Sequence, residues 1–126
     1  MLGLVPKRIL IVDDDDGLRF FYRRALQSAG FETQDAGDSV TALSLIDEHA
    51  PDLILLDLDL HDGHGCGLHE ELTARAHTRQ IPILIATGST ENLDHLRVSC
   101  VLRKPLSLEQ LIEAAQQCLR MQAAKP

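Results

Sequence analysis

A repeated device limits what this chain can fold into: a short apolar run that stops on a polar, oxygen-bearing side chain. Leu53-Ile54-Leu55-Leu56 stops at Asp57, Ile9-Leu10-Ile11-Val12 stops at Asp13-Asp14-Asp15-Asp16, and Ile81-Pro82-Ile83-Leu84-Ile85-Ala86 stops at Thr87. Such runs are too short for helices and too continuously apolar for strands with one wet face. They read as central parallel strands buried on both sides. Ligand crevices in open parallel sheets lie outside the C-terminal strand ends, so Asp13, Asp14, Asp57 and Thr87 are candidate site residues by position alone.

The segments between the runs have a helical period. Leu18, Phe21, Tyr22, Ala25, Leu26 and Ala29 form one face of a helix stopped by Gly30, with Asp15 and Asp16 suited to its N-terminus. Phe31 to Ala36 reads as a weaker, partly exposed strand. After Gly37-Asp38-Ser39 comes a helix with Val40, Ala42, Leu43, Ile46 and Ala50 inward, ended by Pro51. Leu68, Leu72 and Ala76 give a narrow stripe for the next helix, and Val98 to Leu102 a fifth strand ending at Arg103-Lys104-Pro105. Ser107 caps a last helix whose buried face is Leu108, Leu111, Ile112, Ala115 and Leu119. Strands alternating with helices predict an α/β, doubly wound parallel sheet of five strands covered on both sides.

The 126 residues fit one domain over 1–126, with a core of about 7–120 and tails at 1–6 and 122–126. A net charge of −7 without a Lys/Arg cluster argues against direct nucleic acid binding or an anionic membrane surface, and favours a cationic partner or a metal ion. No signal peptide or membrane-spanning run is visible, and the three cysteines lack metal-type spacing, so a cytoplasmic protein with free thiols is expected.

If all five strands run parallel, Asp13, Asp14, Asp57, Thr87 and Lys104 meet at one edge. Three uncompensated carboxylates repel, so their juxtaposition calls for a cation. Mg2+ fits, because it takes oxygen ligands and shares its coordination with phosphate. A hydroxyl and an ammonium beside it suit a phosphoryl group, and a carboxylate is a competent nucleophile for one.

At these residues the chain resembles the receiver domains of two-component response regulators, from about Lys7 to about Leu119. The resemblance rests on Asp13-Asp14, on Pro51 to Asp57, on Gly65, on Ala86-Thr87 and on Lys104-Pro105, each in order and at a strand end. It implies a flavodoxin-like (βα)5 fold with strand order 2-1-3-4-5 and Asp57 as the phosphoacceptor. It also implies Mg2+ (or Mn2+) held by Asp14 and Asp57, by Asp13 through water, and by the backbone carbonyl of Asp59. Thr87 and Lys104 would contact the phosphoryl oxygens, and Lys104-Pro105 would be a cis peptide. The implied partners are a sensor histidine kinase or histidine phosphotransfer protein and a downstream effector. A homodimer is compatible with the same reading. The only catalysis expected is of the chain's own Mg2+-dependent phosphorylation and dephosphorylation, not a metabolic reaction.

The sequence also departs from the family. His61 stands where Pro is usual and Val101 where an aromatic is usual. The segment from Thr87 to Lys104 is several residues shorter than is usual, so the fourth helix should be short or absent, as in an atypical subgroup with an Ala-Thr-Gly signature. A phosphorylation-independent docking module is the alternative these departures suggest. A remoter one is a haloacid-dehalogenase-type phosphatase, with Asp57 as nucleophile and Asp59 as general acid/base, although there the motif opens the sheet. His61, His64 and His69 read as loop and helix-surface residues rather than a transition-metal site.

Overall fold

The computed structural model describes residues 5–58, 65–88 and 100–123. The elements in order are β1 (Arg8–Val12), α1 (Asp16–Ser28), β2 (Glu32–Ala36), α2 (Ser39–Glu48), β3 (Leu53–Asp57), α3 (Gly65–Ala74), β4 (Ile83–Thr87), β5 (Cys100–Arg103) and α4 (Leu108–Ala123). The strands form one sheet in the order β2-β1-β3-β4-β5, and every pairing is parallel. This is the expected flavodoxin-like arrangement. The short or absent fourth helix falls between Gly88 and Cys100, outside the described residues, as do Asp59, His61 and His64.

Successive side chains of a strand face opposite ways, and here both faces are apolar. Leu10, Val12, Ile54, Leu56, Ile83 and Ile85 meet Ala42 and Ile46 of α2 and Leu68 and Leu72 of α3 on one side. Ile9, Ile11, Leu53, Leu55, Leu84 and Ala86 meet Tyr22, Ala25 and Leu26 of α1 and Leu111, Ala115 and Cys118 of α4 on the other. The central strands β3 and β4 are buried at every position, whereas the edge strand β2, Glu-Thr-Gln-Asp-Ala, is half exposed along most of its length. Polar residues on such an edge discourage pairing with another chain.

Local chemistry sets the helix ends. The Asp15 carboxylate accepts the Leu18 N–H at 3.0 Å and caps α1. At its other end Gly30 takes φ +94°, the Gly30 N–H reaches the Gln27 carbonyl at 3.0 Å and the Phe31 N–H reaches that of Leu26 at 3.1 Å. That paired closure needs a left-handed residue, which glycine adopts without Cβ strain. The Asp38 carboxylate caps α2 on the Thr41 N–H at 2.7 Å. Ser107 and Gln110 cap α4 reciprocally: the Gln110 N–H donates to Ser107 Oγ at 3.1 Å and the Ser107 N–H to Gln110 Oε1 at 2.7 Å.

The expected helix faces hold at Ala42 and Ile46, at Leu68 and Leu72, and at Leu111 and Ala115, and differ at their margins. In α2, Ser39 takes the first inward position, so the buried series runs Ser39, Ala42 and Ile46 and leaves Val40 79% exposed; Ala50 lies beyond the helix and is exposed too. In α4 the buried stripe is Leu111, Ala115 and Cys118, while Leu108 is 40% exposed. Ala76 lies past the end of α3 and is exposed, and His69, expected on the surface, is buried. β4 starts at Ile83 rather than Ile81, because the Ile81 N–H is taken by the Thr78 carbonyl at 3.0 Å and Pro82 has no N–H to offer.

Candidate functional site

The register of the sheet brings the strand-end residues to one edge. Val12 is level with Leu56, so Asp13 and Asp57 each stand one residue on, side by side. Asp57 is level with Ala86 and Thr87 with Arg103, which carries the chain directly into Lys104. Backbone bonds extend the ladder past its formal end: the Asp13 N–H reaches the Ala36 carbonyl at 3.1 Å, the Leu58 N–H that of Ala86 at 3.3 Å, and the Lys104 N–H that of Thr87 at 2.8 Å. The Lys104–Pro105 peptide is cis.

Asp13, Asp57 and Thr87 are all buried, an unusual condition for the two carboxylates among them. Oxygens of Asp13, Asp14 and Asp57 lie within 4.8 Å of one another. Lys104 Nζ approaches Asp57 Oδ1 at 3.4 Å and Asp13 Oδ2 at 3.7 Å. Burial works against the Lys104 ammonium, but Asp57 and Asp13 outweigh it and raise its pKa above the ordinary lysine value. Burial raises the Asp13 pKa too; the Asp15 N–H, which donates to Asp13 Oδ1 at 2.9 Å, opposes the rise, and the neighbouring Asp57 adds to it. Asp13 Oδ2 is buried and accepts no hydrogen bond.

These observations test whether the residues suit a divalent cation, and they do. The donors are all hard carboxylate oxygens, one buried oxygen has an unfilled lone pair, and one ammonium does not neutralise three acids. Asp13, Asp14 and Asp57 are the side chains that could hold such an ion. Asp59, expected to add its backbone carbonyl, lies outside the described residues.

The sequence reading missed two groups here. Arg19 of α1 donates from Nη1 to the Asp13 carbonyl oxygen at 2.7 Å and from Nε to Asp35 Oδ2 at 2.9 Å, and its Nη2 pairs with Asp16. The buried Tyr22 ring, whose burial raises the phenol's pKa, lines an apolar cleft of about 610 Å3 beside Lys104 and Pro105. Nothing local in the sequence marks Arg19; only the approach of β2 to β1, which brings Asp35 near the Asp13 carbonyl, makes it a junction.

The family model for the response regulator receiver domain matches residues 9–116. The polar-differentiation response regulator DivK of Brucella anthropi is 30% identical over 114 residues, covering 86% of this chain and 93% of that protein. The phosphate regulon transcriptional regulatory protein PhoB of Escherichia coli is 31% identical over 92% of this chain, which spans only 53% of PhoB. Among solved structures, a CheY-like receiver domain protein from Methanospirillum hungatei superposes with a TM-score of 0.85 at 26% identity, covering 94% of this chain and 98% of that one.

Proposed function

The chain belongs to the response regulator receiver domain family, and on that premise we propose that it is a phosphoacceptor in a two-component or phosphorelay system, with Asp57 as the residue that receives the phosphoryl group. One observation carries the reading: Asp57 stands beside two further carboxylates and within 3.4 Å of the Lys104 ammonium, at the C-terminal edge of the sheet. No metabolic substrate need be invoked to explain that combination.

The donor is a phosphohistidine of a sensor kinase or phosphotransfer protein. An Asp57 carboxylate oxygen attacks phosphorus as the P–N bond breaks, the histidine imidazole leaves with its electron pair, and an acyl phosphate remains on Asp57. Asp14 and Asp57 directly, Asp13 through water and the Asp59 backbone carbonyl would hold Mg2+ or Mn2+, which would supply charge neutralisation during transfer. Lys104 is placed for one phosphoryl oxygen and Thr87 for another. Dephosphorylation uses the same geometry: water attacks phosphorus as the P–O bond to Asp57 breaks, which restores the carboxylate and releases inorganic phosphate. The phosphorylated state then alters binding to an effector. Val101, 38% exposed on β5, has no ring to move with Thr87, so readout passes through the segment after Thr87 or through α4. The site of action is the cytoplasm; among the described residues no helix is long and apolar enough to cross a membrane.

Intact-mass measurement after incubation with Mg2+ and a small acyl phosphate tests the reading. Wild type should gain one phosphoryl group and Asp57→Asn none. No gain by folded wild-type protein would favour a docking module that works unphosphorylated, and turnover of a phosphate ester without a kinase would favour a phosphatase.

A further inference from the structure

We infer that Arg19 is a positioning residue for the cation site, working through the Asp13 backbone, and that Gly37 is the space that lets it do so. The inference rests on the proposed phosphoacceptor role and names the side chain that sets the site's geometry.

The argument starts from what holds Asp13. Its N–H is fixed by Ala36 and its Oδ1 by the Asp15 N–H, so two of its polar groups are tied to β2 and to the start of α1. Its carbonyl, which orients the peptide joining Asp13 to Asp14, is held by Arg19 Nη1 at 2.7 Å. The same guanidinium is fixed by Asp35 at the end of β2 and by Asp16 in the first turn of α1. A planar fork with five donors can span three acceptors at once, which a flexible ammonium cannot. With this clamp in place the Asp13–Asp14 peptide is set, and with it the directions from which both carboxylates approach Asp57. The guanidinium adds little net field, since Asp35 and Asp16 offset its charge.

Gly37 supplies the second, independent observation. A Cβ built there would lie 3.0 Å from Arg19 Nη1, the nitrogen that holds the Asp13 carbonyl. The Gly37 backbone does not take a left-handed conformation, so glycine is needed here for room rather than for φ. An added methyl group would crowd Arg19 Nη1, so the guanidinium would have to shift by a few tenths of an ångström against the carbonyl it holds.

The test measures Mg2+ affinity by calorimetry together with the melting temperature of the cation-free protein, so that site geometry and folding are read separately. Arg19→Ala should weaken Mg2+ binding about tenfold, the low end for removing support from behind a metal ligand. Arg19→Lys, which keeps the charge and loses the fork, should bind no better than Arg19→Ala. Gly37→Ala should weaken binding to a lesser degree, and should add no further loss in the Arg19→Ala background. Unchanged or tighter Mg2+ binding in folded Arg19→Ala would overturn the inference, as would equal losses from Gly37→Ala in both backgrounds. If wild type neither binds Mg2+ nor gains a phosphoryl group, the phosphoacceptor reading fails first; if wild type does both and Arg19→Ala binds Mg2+ as well, only the role of Arg19 fails.

Discussion

Asp13 shows how a single residue can trade stability for binding. Its carboxylate is buried, beside another acid, with one oxygen that accepts no hydrogen bond and a pKa raised mainly by burial. For an acid whose pKa is higher folded than unfolded, the native state holds its proton longer. Cation-free stability should therefore fall as pH climbs from the ordinary carboxylate pKa through the raised one. Asp13→Asn removes that burden and should raise the stability of the cation-free protein by about 1–2 kcal/mol in urea titration while weakening Mg2+ binding. Loss of stability in that variant would show that the carboxylate is better compensated than its surroundings indicate. The candidate residues were legible in the sequence because a strand end is a local signal: an apolar run and the polar residue that stops it. Arg19 was not, because its role comes from Asp35 and Gly37, sixteen and eighteen positions away in the chain.

At the scale of the element, helix phase proved harder to read than helix existence. Val40 is apolar and near the start of α2, yet the Asp38 cap turns Ser39 inward and Val40 out to solvent. Val40→Ala should then change stability by less than about 0.5 kcal/mol, whereas Leu56→Ala, fully buried in β3, should cost about 2–5 kcal/mol in the same denaturant titration. The cap itself titrates. Hydrogen bonds from the Thr41 N–H, and then its hydroxyl, hold the Asp38 carboxyl below its ordinary pKa, so its contribution is complete above the ordinary value and is lost as pH falls through the depressed one. Asp38→Ala should lower the melting temperature by a few degrees at neutral pH, a deficit that closes in acid; Asp38→Asn, which caps without a charge, should show much less pH dependence. Gly30→Ala tests the left-handed closure of α1. No atom stands within 4 Å of its added Cβ, so the cost of about 1 kcal/mol should come from φ alone.

For the molecule as a whole, the two apolar layers share the central strands β1, β3 and β4, which explains why continuous apolar runs in those strands made the fold class readable from the chain alone. Mg2+ should stabilise the whole assembly, by about 2.7 kcal/mol at a hundredfold excess over its dissociation constant, and a thermal shift series in Mg2+ should show this for wild type and lose most of it in Asp13→Asn. The placement of the site has a further consequence. Asp13, Asp57, Thr87 and Lys104 come from four different strand ends and meet only when β1, β3, β4 and β5 are all in register. A newly made or half-unravelled chain thus owns every reactive group and none of the reactivity. Under the proposed function, a phosphoryl mark on Asp57 would also certify that folding is complete, and a damaged copy would drop out of signalling in silence rather than send a false message.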